Sequence, residues 1–377
     1  MSDYEKMAHS RDVSDSPPSF DKGAFASFKP ICEIGRGAHG TVFLAEGVGG
    51  KVALKVCARP EEAERRADWE RERRGWNLFA AIPPHRALVR VFQTGLTPDG
   101  AAFYIAMELA DAEPGGSPDE PERYRPLTLA SVASAEVALP LAQCLDIGER
   151  LASALEHLQR HHLLHRDIKP GNVLFVRGQP VIADAGLVVD DREAVSLVGT
   201  PGYEPPEHHG TPQGDVFSLG RTLWRIAIGR TPEEVDAAPC AEADTSDPDY
   251  PAFLAIVKRA MSDDPDQRYR SAKAMRKALA RLRRQRKLRR LRRILMPLLA
   301  AACAALLLAL AWALGRRSAR TTEPDPLDEI RKGIRLGKIH VMTPEEAKGI
   351  IGNINRDLKR SMEDLKSSLP TNQPTNH

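Results

Sequence analysis

The sequence predicts an α+β domain followed by one transmembrane helix. Strand-like runs, rich in β-branched and aromatic residues, dominate the chain up to about residue 109. Apolar residues at helical spacing replace them from residue 141 onward. Residues 294–314 then form a run without a charged side chain. Strands that precede helices in this way are typical of the α+β class.

The composition is that of a globular protein with one strongly basic segment. The 377 residues are 42% hydrophobic and 28% charged, which are ordinary proportions for a folded chain. The formal net charge of +3 conceals nine Lys or Arg between Arg281 and Arg293. Five scattered cysteines without a CxxC pair argue against a zinc site or a disulfide framework. Residues 1–27 are polar and lack the apolar run of a signal peptide, so we expect a disordered leader.

A glycine-rich motif joins the first two strand-like runs. It contains Gly35, Gly37 and Gly40 at the spacing GxGxxG, followed by Val42. Glycines let a backbone fold tightly over phosphates and offer N–H donors without side-chain obstruction. The same spacing occurs in dinucleotide-binding folds, where a helix follows the glycines directly. Here a strand, a two-glycine turn and another strand follow, and this hairpin disfavours the dinucleotide fold.

Lys55 lies within the third strand-like run, Val-Ala-Leu-Lys. An apolar strand would bury its ammonium group, so the lysine needs an anionic partner. Residues 61–80, rich in Glu, Arg and Ala, predict a helix that can supply one. Glu72 is the preferred partner because large aromatic residues follow it at +4 and +7 and define the apolar side of the helix; Glu70 is the alternative.

The stretch from His165 to Asn172 reads HRDIKPGN. Phosphoryl transfer needs a carboxylate that orients the attacking hydroxyl and receives its proton, and it needs oxygen ligands for Mg²⁺. Asp167 suits the first task, Asn172 can supply one metal ligand, and Lys169 can steady the transferring phosphate. Asp184 follows in the triplet Asp-Ala-Gly. An HRD triplet alone could arise by chance. Here the longer pattern HRDxKxxN is present, the glycine-rich motif and Lys55 precede it, and Asp-Ala-Gly follows it.

The segment after Asp-Ala-Gly carries two hydroxyls placed for autophosphorylation, Ser196 and Thr200. A phosphate added there could order the segment through Arg166. The alternative is that Thr200 only positions substrate and that Ser196 is solvated. Residues 111–126, rich in Pro, Gly and acids, predict a flexible insert between the strands and the helices.

Three other charged residues predict structural roles. Asp215 opens a strongly apolar helix and is a candidate N-cap. Glu207, in Pro-Pro-Glu, and Arg268 are candidates for a structural ion pair.

Together these motifs resemble the protein kinase family over about residues 28–282, in the family's order. The pattern at Lys169 resembles the serine/threonine branch, and a kinase domain followed by a basic stretch and one span is similar to bacterial eukaryotic-like kinases. The resemblance implies a bilobal fold, with a β-rich N-lobe at about 28–109 and a helical C-lobe at about 127–282. Ala185 stands where the family carries Phe, which puts regulation in doubt more than chemistry.

The resemblance also implies ATP with Mg²⁺ or Mn²⁺ between the lobes. Lys55, Asp167 and Lys169 would be catalytic, and Asn172 and Asp184 would ligate the metal. Met107 would be the gatekeeper, where simple core filling is a compatible reading, and the backbone from Glu108 to Ala110 would meet adenine. The residues expected around ATP are Ile34, Gly35, Gly37, Gly40, Val42, Ala53, Lys55, Glu72, Met107, Glu108 and Leu109.

The end of the chain predicts a membrane anchor. As a helix, residues 294–314 would run about 30 Å, enough to cross a bilayer core. Nine cations precede this run and only three follow closely, so the positive-inside rule places the kinase domain in the cytoplasm and residues 315–377, a short helical tail, outside the cell (inner) membrane. We expect the basic juxtamembrane segment 283–293 to face anionic lipid and no nucleic acid. Ala300 and Ala304 have the spacing of a homodimer contact.

Three functions are compatible with these features. The first is a membrane-anchored serine/threonine kinase that transfers the ATP γ-phosphate to hydroxyls of protein substrates and of itself. The second is a pseudokinase that serves as a membrane-tethered signalling scaffold, which only Ala185 favours. The third is a small-molecule phosphotransferase, which residues 199–207 disfavour because they resemble a platform for protein substrates.

Overall fold

The computed structural model describes residues 27–37, 40–133, 138–192, 200–207, 210–229 and 247–318, together with Phe25 and scattered positions between 328 and 359. Within them, a five-stranded sheet and a helix form an N-lobe, and helices with short strand pairs form a C-lobe. This confirms the predicted α+β class and its two lobes. Phe25, inside the leader predicted as disordered, is buried against Tyr104 with ring centroids 5.5 Å apart, because it covers an apolar patch of the sheet.

The N-lobe sheet is antiparallel, in the order β1-β2-β3-β5-β4. Its strands are β1 Lys29–Gly37, β2 Gly40–Gly47, β3 Gly50–Ala58, β4 Val91–Leu96 and β5 Ala102–Met107. Lys55 lies in central strand β3, opposite Val42 on one side and Ile105 on the other. The pairing of β1 with β2 runs to Gly37 and Gly40, so the glycine motif forms the hairpin that its sequence predicts.

Helix α1, Ala63–Ala81, packs on this sheet through one face. Trp69 stands edge-on to Phe103 of β5, 5.2 Å between centroids, and its indole N–H donates to the carbonyl of Cys57 at 2.8 Å. These contacts fix the helix over β3. The buried residues of the helix are Trp69, Glu72, Gly75, Trp76 and Phe79.

Residues 111–126 are folded against both lobes, contrary to the flexible insert that their composition predicts. The Tyr124 side chain is fully buried and its hydroxyl donates to the carbonyl of Ala110 at 2.9 Å. Asp111 accepts from two backbone amides of the C-lobe turn at Arg177, and Lys51 of β3 donates to the carbonyl of Pro118 at 2.5 Å. Buried tyrosine and satisfied backbone groups therefore override the loop-forming composition.

The C-lobe is built from helices around buried aliphatic side chains. The described helices are α2 Leu129–Val132, α3 Leu141–Arg160, α4 Pro212–Ile228, α5 Tyr250–Ala260 and α6 Ala272–Ser318. The strand pairs are β6 Leu163–Leu164 with β9 Val189–Asp190, and β7 Val173–Val176 with β8 Gln179–Ile182. The residues that carry the candidate chemistry lie on the turns between these short strands.

Helix α4 begins earlier than predicted. Its N-cap is Thr211, whose side chain accepts from the amide of Gly214, and Pro212 occupies the first turn. Asp215 therefore lies inside the first turn and is not the cap, which corrects that prediction. Gly229 ends the helix in a left-handed conformation, φ 75°, where glycine is favoured.

The start of α6 is joined to the C-lobe by ion pairs. Arg283 Nε lies 2.6 Å from Asp146 Oδ1, and Arg286 lies 2.5 Å from Asp247 Oδ2. Arg289 pairs with buried Asp249. Three of the nine clustered cations are thus engaged within the unit Met1–Arg290, one of the two units into which the chain divides.

The second unit, Leu291–His377, contains the apolar run. Among the described residues, α6 includes one stretch that is long and apolar enough to cross a membrane, by length and composition. Its leucines, such as Leu299 and Leu306, are exposed, and Pro297 lies inside the helix. The positions described between 328 and 359 are helical.

Candidate active site

The glycine hairpin covers one side of the cleft between the lobes. Gly40 has φ 155°, and a Cβ there would lie 2.6 Å from the carbonyl oxygen of Val56, so no other residue fits without a shift. A Cβ at Gly35 or Gly37 would meet nothing within 4 Å. The hairpin backbone at these two positions therefore leaves open space for a ligand. Its tip, residues 38–39, lies outside the described residues.

Lys55 lies between two carboxylates. Its Nζ is 2.7 Å from Glu72 Oε1 and 3.1 Å from Asp184 Oδ1. The predicted partner Glu72 is therefore the one the structure brings to the lysine, while Glu70 pairs with Arg73 on the surface of α1. Ion pairing explains how an ammonium group is accommodated in a buried strand.

The electrostatics of this cluster keep Lys55 and Asp184 charged. Burial opposes the charge of Lys55, yet the carboxylates of Asp184 and Glu72 raise the pKa of its ammonium above the usual range. Enclosure in the cleft by itself would raise the pKa of Asp184, but Lys55 holds it below the usual range. Burial raises the pKa of the neighbouring Cys57 thiol, whose sulfur lies 3.8 Å from Glu72 Oε1. The thiol is therefore a neutral donor to Glu72 and no nucleophile.

Asp184 opens the turn after β8 in a left-handed conformation, φ 58°. Its Oδ1 also accepts from the amide of Gly186 at 3.4 Å. Asn172 lies close to this turn, because its backbone carbonyl accepts from the amide of Ala183, the residue before Asp184, at 2.8 Å. A carboxylate and an amide oxygen are hard ligands of the kind Mg²⁺ prefers. The donor set therefore fits a magnesium ion.

The catalytic-loop octet folds into a compact polar cluster around Asp167. Its Oδ2 accepts from Asn172 Nδ2 at 2.6 Å and lies 2.9 Å from Lys169 Nζ. Its Oδ1 accepts from the Thr200 hydroxyl at 2.7 Å, and Lys169 donates to that same hydroxyl at 2.7 Å. Because the amide nitrogen of Asn172 is engaged with Asp167, its oxygen is left for a metal.

Asp215 fixes the backbone of the catalytic loop. Its two carboxylate oxygens accept from the amides of His165 and Arg166, at 2.9 and 2.8 Å. Arg166 has φ 71°, a left-handed conformation that a non-glycine residue adopts only when its surroundings enforce it. The buried carboxylate supplies that constraint and thereby fixes the residue before Asp167.

A second anchor joins Glu207 to Arg268. The side chain of Arg268 is completely buried, and its guanidinium binds both carboxylate oxygens of Glu207, one at 2.8 Å. The guanidinium carbon also lies 4.8 Å from the ring centroid of Phe217. The predicted structural ion pair is therefore present.

Strand β5 ends at the segment that is expected to contact adenine. Met107 is buried opposite Ala53 of β3, as expected for a residue at the back of the cleft. The amide of Glu108 donates to the carbonyl of Arg90 at 2.8 Å, and its side chain pairs with Arg177 at 3.1 Å. The carbonyl of Ala110, the last residue of this segment, accepts from the Tyr124 hydroxyl at 2.9 Å. Ile34, Val42 and Leu109 pack as half-buried residues against the same core.

Sequence reasoning missed two features of the site. The hydrogen bonds of Thr200 to both Asp167 and Lys169 were not predicted, since the alternative stated above was only that Thr200 positions substrate; the local signal is the Gly-Thr-Pro triplet. At Gly75, α1 closely approaches the backbone of the loop that follows β8, and the only sequence signal for this contact is a glycine within a helix. Ser196, the other phosphorylation candidate, lies outside the described residues.

Comparison with known families agrees with this geometry. The model of the protein kinase domain family matches residues 28–291, well over half of the sequence. The chain therefore belongs to the protein kinase family.

Its relatives include bacterial kinases. The chain is 29% identical over 290 residues to serine/threonine-protein kinase Pkn1 of Myxococcus xanthus, covering 67% of this chain and 38% of the relative. It is 31% identical over 271 residues to serine/threonine-protein kinase PksC of Streptomyces coelicolor, covering 64% and 46%. It matches the PknI kinase domain of Mycobacterium tuberculosis with a TM-score of 0.51 at 23% identity, over 70% of this chain and 99% of that one. The curated relatives are thus matched over less than half of their length, and the last likeness concerns the fold alone.

Proposed function

We propose that the chain is an ATP-dependent serine/threonine protein kinase. The observation that carries the proposal is the pairing of Lys55 with Glu72 and Asp184 on one side of the cleft and the Asp167 cluster on the other. A scaffold without catalysis has no need to maintain both arrangements. Family membership and the names of the bacterial relatives support the same reaction.

The roles follow from the contacts. Lys55 binds the ATP phosphates while Glu72 holds its ammonium in place. Asp167 orients the substrate hydroxyl and accepts its proton. Lys169 offsets negative charge on the phosphate that is transferred from ATP to this hydroxyl. Asn172 and Asp184 would hold Mg²⁺, which neutralises charge on the phosphate oxygens when bound. Asp215 and the Glu207–Arg268 pair keep these groups in position.

Thr200 acts as a positioning residue in this proposal. Its hydroxyl lies at hydrogen-bond distance from both Asp167 and Lys169, the place where a substrate hydroxyl is held. Ser196 and Thr200 remain the candidates for autophosphorylation, and site mapping by mass spectrometry distinguishes them. The pseudokinase scaffold is the second candidate, favoured by Ala185 alone.

The test is phosphate transfer by the full chain in lipid discs with Mg-ATP and an acceptor protein. Asp167→Asn is expected to lower the rate by about 100-fold or more, since a general base contributes this much. The matched control is Asp266→Asn, which removes an exposed carboxylate from a C-lobe turn. Equal rates for wild type and Asp167→Asn would contradict the assignment of the base. Wild-type protein that binds ATP without any transfer would favour the scaffold.

We also propose that the chain is a single-pass protein of the cell (inner) membrane with its kinase domain in the cytoplasm. The support is the charge-free run 294–314 behind nine cations. Arg283, Arg286 and Arg289 pair with C-lobe carboxylates. The cations of this run without a carboxylate partner among the described residues, and so proposed to face anionic lipid, are Arg281, Arg284, Lys287, Arg290, Arg292 and Arg293. A homodimer through Ala300 and Ala304 belongs to the same proposal.

Protease accessibility tests the orientation. In spheroplasts, an external protease should remove only the tail, residues 315–377, and leave the kinase domain intact. Digestion of the kinase domain in intact spheroplasts would overturn the orientation. Release of the full chain by carbonate washing would overturn the span itself.

A further inference from the structure

Helix α1 rests directly on the backbone of the loop that follows β8, and Gly75 is the point of contact. A Cβ on Gly75 would lie 2.8 Å from the carbonyl oxygens of both Ala185 and Val188, and 3.2 Å from that of Gly186. Cβ atoms essentially never approach other atoms within 3.0 Å. All three neighbours are backbone atoms, which cannot rotate away as a flexible side chain can. The helix therefore sits as close to the loop as a residue without a side chain allows.

The same approach brings Glu72 onto the loop. A Cβ on Gly186 would lie 3.1 Å from Glu72 Cγ and 3.1 Å from its Oε1, the oxygen that binds Lys55 at 2.7 Å. The loop begins at Asp184, which binds Lys55 from the other side at 3.1 Å. The distance between helix and loop thus determines whether one lysine can reach both carboxylates.

The bulk in this region lies on the helix and not on the loop. Ala185, at the position where the family carries Phe, is completely buried, and Trp76, beside Gly75, is 1% exposed in the same core. The Trp76 ring centroid lies 5.6 Å from Lys55 Nζ. The residues at this contact are thus small on the loop and at Gly75, and the large side chain of Trp76 is buried beside Gly75.

We propose that Gly75 is a positioning residue of the phosphotransfer site. Because Gly75 has no side chain, α1 can approach the loop that follows β8 closely enough for Glu72 to reach Lys55. The proposal rests on the proposed function. Contact at 2.8 Å must open by roughly 0.6 Å before a Cβ reaches ordinary van der Waals distance, 3.4 Å. A displacement of this order at a catalytic constellation costs up to about 100-fold in rate.

Helix propensity predicts the opposite outcome, which makes the substitution Gly75→Ala informative. In a helix interior, alanine is favoured over glycine, so a helix free of the loop contact should gain stability from the change. The control is Ala67→Gly, at an exposed position inside the same helix. It makes the reverse change away from the contact.

The experiment compares the full-length variants in lipid discs by thermal unfolding, by kcat and KM for ATP, and by labelling of Lys55 with an amine-directed reagent. Gly75→Ala is expected to lower kcat by up to about 100-fold, with a smaller change in KM for ATP, and to speed the labelling of Lys55. Ala67→Gly is expected to lower Tm by about 2–4 °C and to leave kcat unchanged. A Gly75→Ala protein with raised Tm, unchanged kcat and unchanged labelling would overturn the proposal.

A second variant guards against simple misfolding of the first. Ala185→Phe enlarges a fully buried side chain on the loop residue whose carbonyl faces Gly75, so we expect lower kcat and faster Lys55 labelling than in wild type. A stable and fully active Ala185→Phe protein would overturn the claim that the spacing between α1 and this loop controls the site. Labelling of Lys55 needs no turnover, so a wild-type chain without kinase activity would contradict the proposed function and leave this test of the helix position intact.

Discussion

Removal of Glu207 is expected to destabilise the domain through the cation that it leaves behind. Arg268 has no exposed side-chain surface, and its guanidinium binds both oxygens of the Glu207 carboxylate. Breaking a buried ion pair by deleting one partner costs about 3–5 kcal/mol, because the remaining charge is uncompensated. Arg268 keeps the carbonyls of Ser262 and Asp263 as acceptors and the Phe217 ring beside it, so the low end, about 3 kcal/mol, is expected for Glu207→Ala.

For a domain of this size, that loss lowers Tm by about 6–12 °C. Thermal unfolding followed by circular dichroism measures it, with Glu120→Ala as the matched control. Glu120 pairs with Arg123 at 3.0 Å, but both side chains are more than half exposed, and such pairs contribute about 0–1 kcal/mol. The double variant Glu207→Ala with Arg268→Met removes both charges and should recover part of the loss. Equal shifts for Glu207→Ala and Glu120→Ala would refute the reasoning from burial.

Three further outcomes are expected. Asp215→Asn puts an amide donor opposite a buried backbone amide, so kcat should fall by about tenfold or more in initial-rate assays. Burial, with His157 as the next cause, lowers the pKa of His85 from 6.5 to about 4. Unfolded His85 binds a proton below about pH 6.5 and folded His85 only near pH 4, so stability should fall as pH falls across that window; His85→Gln should flatten the dependence of the urea midpoint on pH. Replacing both Arg286 and Arg289 by Gln leaves buried Asp249 without its cations and should lower Tm, whereas Lys287→Gln should not.

The catalytic loop was predictable because its chemistry is encoded at short spacing. Asp167, Lys169 and Asn172 lie within six residues, and their mutual distances follow from one local conformation. The pairing of Lys55 with Glu72 was predictable for another reason, since a buried ammonium requires an anion. Three features were not predictable: the cap of α4 at Thr211, the folded state of residues 111–126 and the contact at Gly75. Each depends on a neighbour that only the tertiary fold brings close, such as the buried ring of Tyr124 or the carbonyl of Ala185.

The two carboxylates at Lys55 are not equivalent, and the difference supports the separate roles proposed for them. The Glu72 side chain is 6% exposed and lies 2.7 Å from Nζ, with the Cys57 thiol as a further donor, so it is the fixed partner. Asp184 is 44% exposed, lies farther away at 3.1 Å, and sits on a left-handed turn at the cleft. Each carboxylate accepts from Lys55 and from a further donor, so distance and exposure are what separate them. In the proposed function, Asp184 would hold the metal, and Glu72 would keep its ion pair with Lys55 while that ammonium binds phosphate.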